Sequence, residues 1–251
     1  MHRFYLAPTQ AAPQPTLTLT GDEARHALHV LRLRADEQVT ILDGAGQEFL
    51  CKIEATERDR LTLQVLERRV HGTPAWRLTL CVAVPKGKLI ESIIQKATEL
   101  GAARVVPLLT ERVVAVLDRE AAQEKQRKWQ AVAVEAIKQS GAPWLPKVEA
   151  PLPLPEYLER RENFELALVG SLQPGSRHPR ECLLAFEREQ QRKPGSVAVF
   201  VGPEGDFTPA ELGSIEATGA KPITLGSLVL RVETAAIYCL SVLNYELQWK
   251  P

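Results

Sequence analysis

Over its first seventy residues the chain alternates apolar and polar positions in short runs: Thr16-Leu17-Thr18-Leu19, Val39-Thr40-Ile41-Leu42, Glu48-Phe49-Leu50-Cys51-Lys52-Ile53 and Leu61-Thr62-Leu63-Gln64-Val65-Leu66. A period of two sends successive side chains to opposite faces of a strand, so these runs predict a small β-barrel or curled sheet. Asp43-Gly44 between two of them is a hairpin signal, and Arg58-Asp59-Arg60 marks a second turn. One helix interrupts the strands. Thr20 and Glu23 stand at capping-box spacing, and Ala24, Ala27, Leu28 and Leu31 follow at helical spacing, which predicts a helix packing one side onto the sheet.

The polar stretch Arg68-Arg69-Val70-His71-Gly72-Thr73-Pro74 ends this rhythm and predicts a domain boundary, with 1–72 before it and 73–251 after. Beyond it, wholly apolar strands alternate with amphipathic helices. Leu78 to Val84 is a strand; Leu89, Ile90, Ile93, Ile94, Ala97 and Leu100 form a helical stripe closed by Gly101; Val105 to Leu109 is the next strand. Helices are predicted around Trp129 to Ile137, over Pro179 to Gln191, after the Thr208-Pro209-Ala210-Glu211 cap, and from Glu233 to Gln248. Strands are predicted at Phe164 to Gly170, Val197 to Val201 and Pro222 to Leu225, and Pro151 to Pro155 reads as an irregular connector. Strands apolar on both faces, alternating with helices, predict an α/β domain with a parallel sheet covered on both sides.

Composition narrows the function classes. Lys plus Arg and Asp plus Glu both number 31, and 45% of residues are apolar, which excludes a disordered or polybasic chain. No apolar stretch is long enough to span a membrane, and the opening Met1-His2-Arg3-Phe4-Tyr5 lacks the apolar core of a signal peptide, so the expected location is the cytoplasm. Cys51, Cys81, Cys182 and Cys239 lie far apart beside apolar runs, as reduced core thiols do, and no metal site is expected; His26 and His29 find no third ligand.

In a parallel sheet, ligands bind outside the carboxyl ends of the strands. Two glycine-bearing turns fall there: Val201-Gly202-Pro203-Glu204-Gly205-Asp206-Phe207, and Leu225-Gly226-Ser227-Leu228-Val229-Leu230-Arg231-Val232-Glu233-Thr234-Ala235. Either turn, taken alone, suits a structural connection as well as a ligand loop. Neither is a GxGxxG or GxxxxGK[ST] phosphate loop, and no GxSxG elbow occurs.

Taken in order, these loops resemble those of the SPOUT superfamily of RNA methyltransferases, and specifically the RsmE-type family that methylates N3 of one uridine in 16S ribosomal RNA. The resemblance runs over nearly the whole chain, through Arg3-Phe4, His26-Ala27-Leu28-His29-Val30-Leu31-Arg32, Asp43-Gly44-Ala45-Gly46, Lys86-Gly87-Lys88 and Gln95-Lys96-Ala97-Thr98-Glu99-Leu100-Gly101. It continues through Pro107, Glu111-Arg112, Gln139-Ser140, Gly202-Pro203-Glu204-Gly205, Leu230-Arg231 and Glu233-Thr234-Ala235. It implies a PUA-like N-terminal barrel that grips RNA, a C-terminal α/β domain with a trefoil knot, S-adenosylmethionine as cofactor, and a homodimer. Four positions depart from the family pattern: Asp206 stands where glycine is usual, Lys138 where an acidic residue is usual, Ala142 in place of an arginine, and Ser227 where proline is frequent.

On that resemblance the expected cofactor pocket comprises Val169, Gly170, Val201, Gly202, Pro203, Glu204, Gly205, Leu225, Gly226, Leu228 and Leu230. Uridine N3 carries a proton at neutral pH, and each unit of pKa gap costs about 1.4 kcal/mol, so catalysis needs a group that takes the proton or favours the anion. Arg231 and Glu204 are the catalytic candidates; Glu233 is either a further base or the partner of Arg231 in a local ion pair. Arg25, His29 and Arg32 recur at i, i+4 and i+7, and with Arg3, Arg34, Lys86, Lys88 and Arg112 make either a basic track along RNA phosphates or a solvated surface. Two other functions fit the same sequence: methylation of a ribose 2′-hydroxyl, and non-catalytic RNA binding.

Overall fold

The computed structural model describes residues 1–11, 14–112 and 118–248. The chain forms two compact units, Met1–Thr73 with Val134–Leu145, and Pro74–Ala133 with Pro146–Pro251. The first unit thus takes in a helical segment from far along the chain that the sequence pattern assigns to the second.

In the first unit, β1 (His2–Tyr5), β2 (Thr16–Thr20), β3 (Gln38–Leu42), β4 (Gln47–Glu57) and β5 (Arg60–Val70) form one sheet in the order β1-β3-β4-β5-β2. In β4 the alternation works as its period requires: Phe49, Cys51 and Ile53 point into a core with Ile41, Leu61 and Leu63, while their neighbours are half-exposed or exposed; in β3 Val39, Thr40, Ile41 and Leu42 are all buried. β1, a strand that no alternation of apolar and polar positions marks in His2-Arg3-Phe4-Tyr5, carries Phe4 into the same core and pairs parallel to β3. The β3–β4 turn is built by Asp43, whose buried carboxylate accepts from the amides of Ala45 at 2.7 Å and Gln47 at 2.8 Å.

The helix of this unit departs from expectation. α1 (Gly21–Arg25) is a single turn that continues as a π-helical turn, His26–Val30. No capping box forms, because Thr20 makes no side-chain cap and Glu23 instead accepts from Lys138 Nζ at 2.8 Å. Arg32 then leaves the helix at φ +55. The i, i+4, i+7 face expected of Arg25, His29 and Arg32 is therefore not an α-helical face, although all three side chains are at least partly exposed.

The second unit is a seven-stranded, wholly parallel sheet with helices packed on it. Its elements are β6 (Arg77–Ala83), α2 (Leu89–Glu99), β7 (Ala102–Leu109), α3 (Arg119–Ser140, whose last turns belong to the first unit), β8 (Lys147–Val148), β9 (Leu152–Pro153), α4 (Leu154–Glu159), β10 (Leu166–Gly170), α5 (Pro179–Gln190), β11 (Ser196–Val201), α6 (Pro209–Glu216), β12 (Lys221–Ile223) and α7 (Val232–Gln248). The strand order is β12-β10-β11-β6-β7-β8, with β9 also paired to β7. The stretch expected as an irregular connector is instead β9 and the start of α4, since proline is compatible with a sheet edge and with the first helical turn.

Ala198 and Phe200 of β11 pack with Phe207, Leu212, Ile215 and Tyr157, while the intervening Val197, Val199 and Val201 are equally buried. Both faces of the sheet are therefore covered, as strands without polar positions demand. The four cysteines are free and buried; burial pushes the thiols of Cys51, Cys81 and Cys239 up to about 12, which keeps them protonated and inert. Among the described residues no helix is long and apolar enough to cross a membrane.

Candidate functional site

Because all strands of the second unit run the same way, the turns leaving β10, β11 and β12 emerge at one edge of the sheet. They enclose a cavity of about 450 Å³. Its wall is Gly170 to Gln173 after β10, Val201 to Asp206 after β11, and Thr224 to Leu230 after β12, with Val232 and Ala235 of α7 behind.

Of the expected pocket, Gly170, Val201, Gly202, Pro203, Glu204, Gly205, Leu225, Gly226, Leu228 and Leu230 all line this cavity. Val169 does not; it is wholly buried in the core beneath. Two glycines are required by what lies against them. A Cβ on Gly202 would stand 3.0 Å from the Phe207 amide nitrogen and 3.2 Å from Asp206 Oδ1, and Gly226 holds φ +114, where side chains are strained. Thr208 and Glu211 form the expected capping box, and the buried Glu211 also accepts from the Glu111 amide at 2.8 Å, which ties the exit of β7 to α6.

The sequence pattern leaves out Ser171, Leu172 and Gln173, a turn with no glycine motif of its own, and Thr224, while Asp206, Ser227 and Val229 lie in the two turns it singles out without being assigned to the pocket. Position after a parallel strand was the available signal for the first three. Leu228 and Val229 are about three-quarters exposed and make an apolar lip, beside which Leu172 is also exposed.

Glu204 lines the cavity with an exposed carboxylate that reaches the Lys86 amide at 3.5 Å. Arg231 lies between two lining residues, Leu230 and Val232, without lining the cavity itself. Its guanidinium is exposed and has no ion pair or hydrogen bond among the described residues, so the local pair with Glu233 does not form. Asp206 holds φ +65, and its carboxylate accepts from the amides of Phe207 at 2.8 Å and Leu172 at 3.3 Å.

The basic candidates divide between the units. In the second, Lys86 and Lys88 flank Gly87 after β6, and Arg112 after β7 donates to the Asp206 carbonyl at 3.1 Å, so Lys86 and Arg112 both border the cavity wall. In the first, Arg25 pairs with Asp22, Arg3 donates to the carbonyls of Lys138 and Gln139, and His29, Arg32 and Arg34 are at least partly exposed. No group of three His, Cys, Asp or Glu side chains among the described residues is arranged to hold a metal ion.

The lining fits a cofactor that joins an apolar ring system to a cationic sulfur. Leucine side chains and loop backbone suit the ring, the two carboxylates Glu204 and Asp206 favour positive charge, and a volume of this order is usual for such ligands.

A family model described as an RNA methyltransferase domain matches residues 72–244, and one described as an RNA methyltransferase PUA domain matches residues 19–66. The ribosomal RNA small subunit methyltransferase E of Synechocystis is 33% identical over 97% of this chain and 77% of its own length. That of Bacillus subtilis is 29% identical over 98% of this chain and 97% of its own. Among solved structures, the ribosomal RNA small subunit methyltransferase E of Neisseria gonorrhoeae bound to S-adenosyl methionine superposes with a TM-score of 0.83 at 26% identity, covering 98% of each chain. A Legionella pneumophila protein solved with bound cofactor SAM superposes with a TM-score of 0.86 at 30% identity, covering 97% of each.

Proposed function

This chain belongs to the RsmE-type family of ribosomal RNA methyltransferases, with an N-terminal PUA domain, and on that premise we propose that it methylates N3 of one uridine in 16S ribosomal RNA. The observation that carries the proposal is the single cavity in which the 202–205 and 225–230 turns meet. S-adenosylmethionine, when bound there, supplies an electrophilic methyl group on a sulfonium.

The chain's own residues do the rest. Leu225, Leu228 and Leu230 give the cavity an apolar side, and Gly202, with no Cβ, lets the Asp206-Phe207 peptide fold back against the turn that walls the cavity. Arg231, unpaired among the described residues and beside the cavity, stabilises negative charge on the uracil oxygens as the N3 proton departs, and Glu204 on the cavity wall accepts that proton. Lys86, Lys88 and Arg112 hold phosphates near the mouth, and within the PUA domain Arg25, His29, Arg32 and Arg34 offer phosphate contacts of their own. Arg3 is already engaged within its unit and contributes its remaining exposed edge.

The chain after β12 supports a knotted passage. β12 is an edge strand, yet α7 packs on β6 and β11, so residues 224–231 travel back across the sheet beside the 202–206 turn. We assign the family's trefoil knot to that passage, and a homodimer of this chain working in the cytoplasm on the assembled ribosomal particle.

The test is methyl transfer to small ribosomal subunits from a strain lacking the activity, with the modified nucleoside mapped by mass spectrometry. A single 3-methyluridine is expected. A methylated ribose would redirect the target, and binding without any transfer would leave an RNA-binding protein.

A further inference from the structure

Asp206 occupies a backbone position that glycine suits better. Its φ of +65 lies in the left-handed region, which aspartate tolerates more readily than most residues but at some cost. Its side chain explains what it adds. Oδ1 accepts from the Phe207 amide at 2.8 Å within its own turn, whereas Oδ2 accepts from the Leu172 amide at 3.3 Å, a contact 34 residues away in the turn that leaves β10. The Asp206 carbonyl is held by Arg112 Nη1 at 3.1 Å, which fixes the peptide from the other side. Gly202 packs against the same carboxylate, leaving no room for a Cβ without displacing it.

Leu172, Gly202 and Asp206 all line the cavity. The turn from 171 to 173 has local bonds of its own through Ser171 and Ser176, but the Asp206 carboxylate is what joins it to the 202–206 turn. We propose that Asp206 is a positioning residue that latches the turn after β10 to the turn after β11 and so preforms the cofactor cavity. The functional half of this proposal rests on the cofactor assignment above.

A purely local role, capping Phe207, predicts nothing about the distant turn, and this separates the two roles experimentally. In the full-length protein, Asp206→Gly keeps the backbone conformation and deletes the carboxylate; Asp206→Asn keeps one acceptor oxygen and has to present its amide group to one of the two N–H donors. Amide hydrogen exchange on the ligand-free protein and calorimetric titration with S-adenosylmethionine are the readouts. For Asp206→Gly we expect the Leu172 amide to exchange about tenfold faster, as loss of its charge-assisted bond in a partly exposed site implies, and the cofactor dissociation constant to rise about fivefold, with Asp206→Asn intermediate.

Unchanged exchange at Leu172 overturns the latch. Faster exchange with unchanged cofactor affinity, or a loss confined to thermal stability, overturns its positioning role. Failure of the wild-type protein to bind S-adenosylmethionine removes the cofactor assignment itself, a result distinct from wild-type binding that Asp206→Gly leaves intact.

Discussion

Arg3 donates from Nη1 to the carbonyl oxygen of Gln139 at 3.0 Å, and to that of Lys138 at 3.3 Å, at the last turn of α3. The final carbonyls of a helix have no intrahelical donors, and a cation placed there also meets the negative end of the helix dipole. Gly141 follows at φ +78, where a Cβ would stand 3.0 Å from the guanidinium. Arg3 thus joins the chain's first strand to a helix end far along the sequence. Arg3→Ala is expected to lower unfolding free energy by about 1 kcal/mol, measured by urea denaturation, with Arg3→Lys restoring only part. Stability equal to wild type would return Arg3 to the RNA surface alone.

A second contact across the same unit is tighter. The Gly46 amide donates to the Pro143 carbonyl at 2.9 Å, and the Leu145 amide to the Gly44 carbonyl at 2.9 Å, so the β3–β4 turn lies against the segment after α3. Gly46 holds φ +94, and a Cβ there would fall 2.5 Å from the Trp144 ring. Gly46→Ala should cost about 3 kcal/mol or more, from backbone strain and overpacking together, read as a shift of the urea midpoint. Adding Trp144→Leu should recover the overpacking share and leave the strain.

These two contacts mark where the sequence stops being legible. Strand and helix positions followed from local periods, and the carboxyl-end rule led to the 202–205 and 225–230 turns because glycines punctuate both. The turn at 171–173 has no such mark, and its place in the cavity depends on β10 lying beside β11, a pairing no local pattern encodes. The Thr20 and Glu23 spacing suits a capping box, but the Thr20 side chain makes no cap and Glu23 Oε1 accepts from Lys138, 115 residues away, a partner no local pattern encodes. The π-helical turn at His26–Val30 likewise escapes a pattern of Ala24, Ala27, Leu28 and Leu31 that an α-helix would satisfy as well. Pro151 to Pro155 reads as broken chain, yet edge strands and first helical turns accept proline. Asp206, a departure from the family pattern, is legible only once its φ and its long-range acceptor are known.

Glu165 gives a pH-dependent test in the second unit. Both of its oxygens are held by Arg192, at 2.7 and 2.8 Å, and the Gly195 amide donates to one at 2.6 Å. The Arg192 guanidinium, with that amide, lowers its carboxyl from the ordinary value of 4.5 to about 2. A folded-state pKa below the unfolded one means a stabilising contribution that is complete above 4.5 and is lost as pH falls toward about 2. The melting temperature of Glu165→Gln should therefore lie below that of wild type at neutral pH, and the gap should close through that acid window. A gap that stays constant with pH would mean the carboxylate charge plays no part.

Arg231 separates binding from chemistry. It stands between Leu230 and Val232, both on the cavity wall, yet does not line the cavity, and its guanidinium has no partner among the described residues. An exposed cation at the start of α7 gains nothing from the helix dipole, whose positive end lies there, so its placement serves no evident folding need. If it stabilises charge developing on the uracil, its removal weakens the transition state and spares the ground-state cofactor complex. Arg231→Ala is then expected to reduce methyl transfer by about a hundredfold or more, the scale seen when one oxyanion-stabilising donor is deleted, while the S-adenosylmethionine dissociation constant changes by less than about twofold. Single-turnover methylation and calorimetry on the same preparation decide it. Equal losses in both would place Arg231 in cofactor binding, and Arg231→Lys, which keeps the charge but not the planar fork, should recover only a small part of the rate.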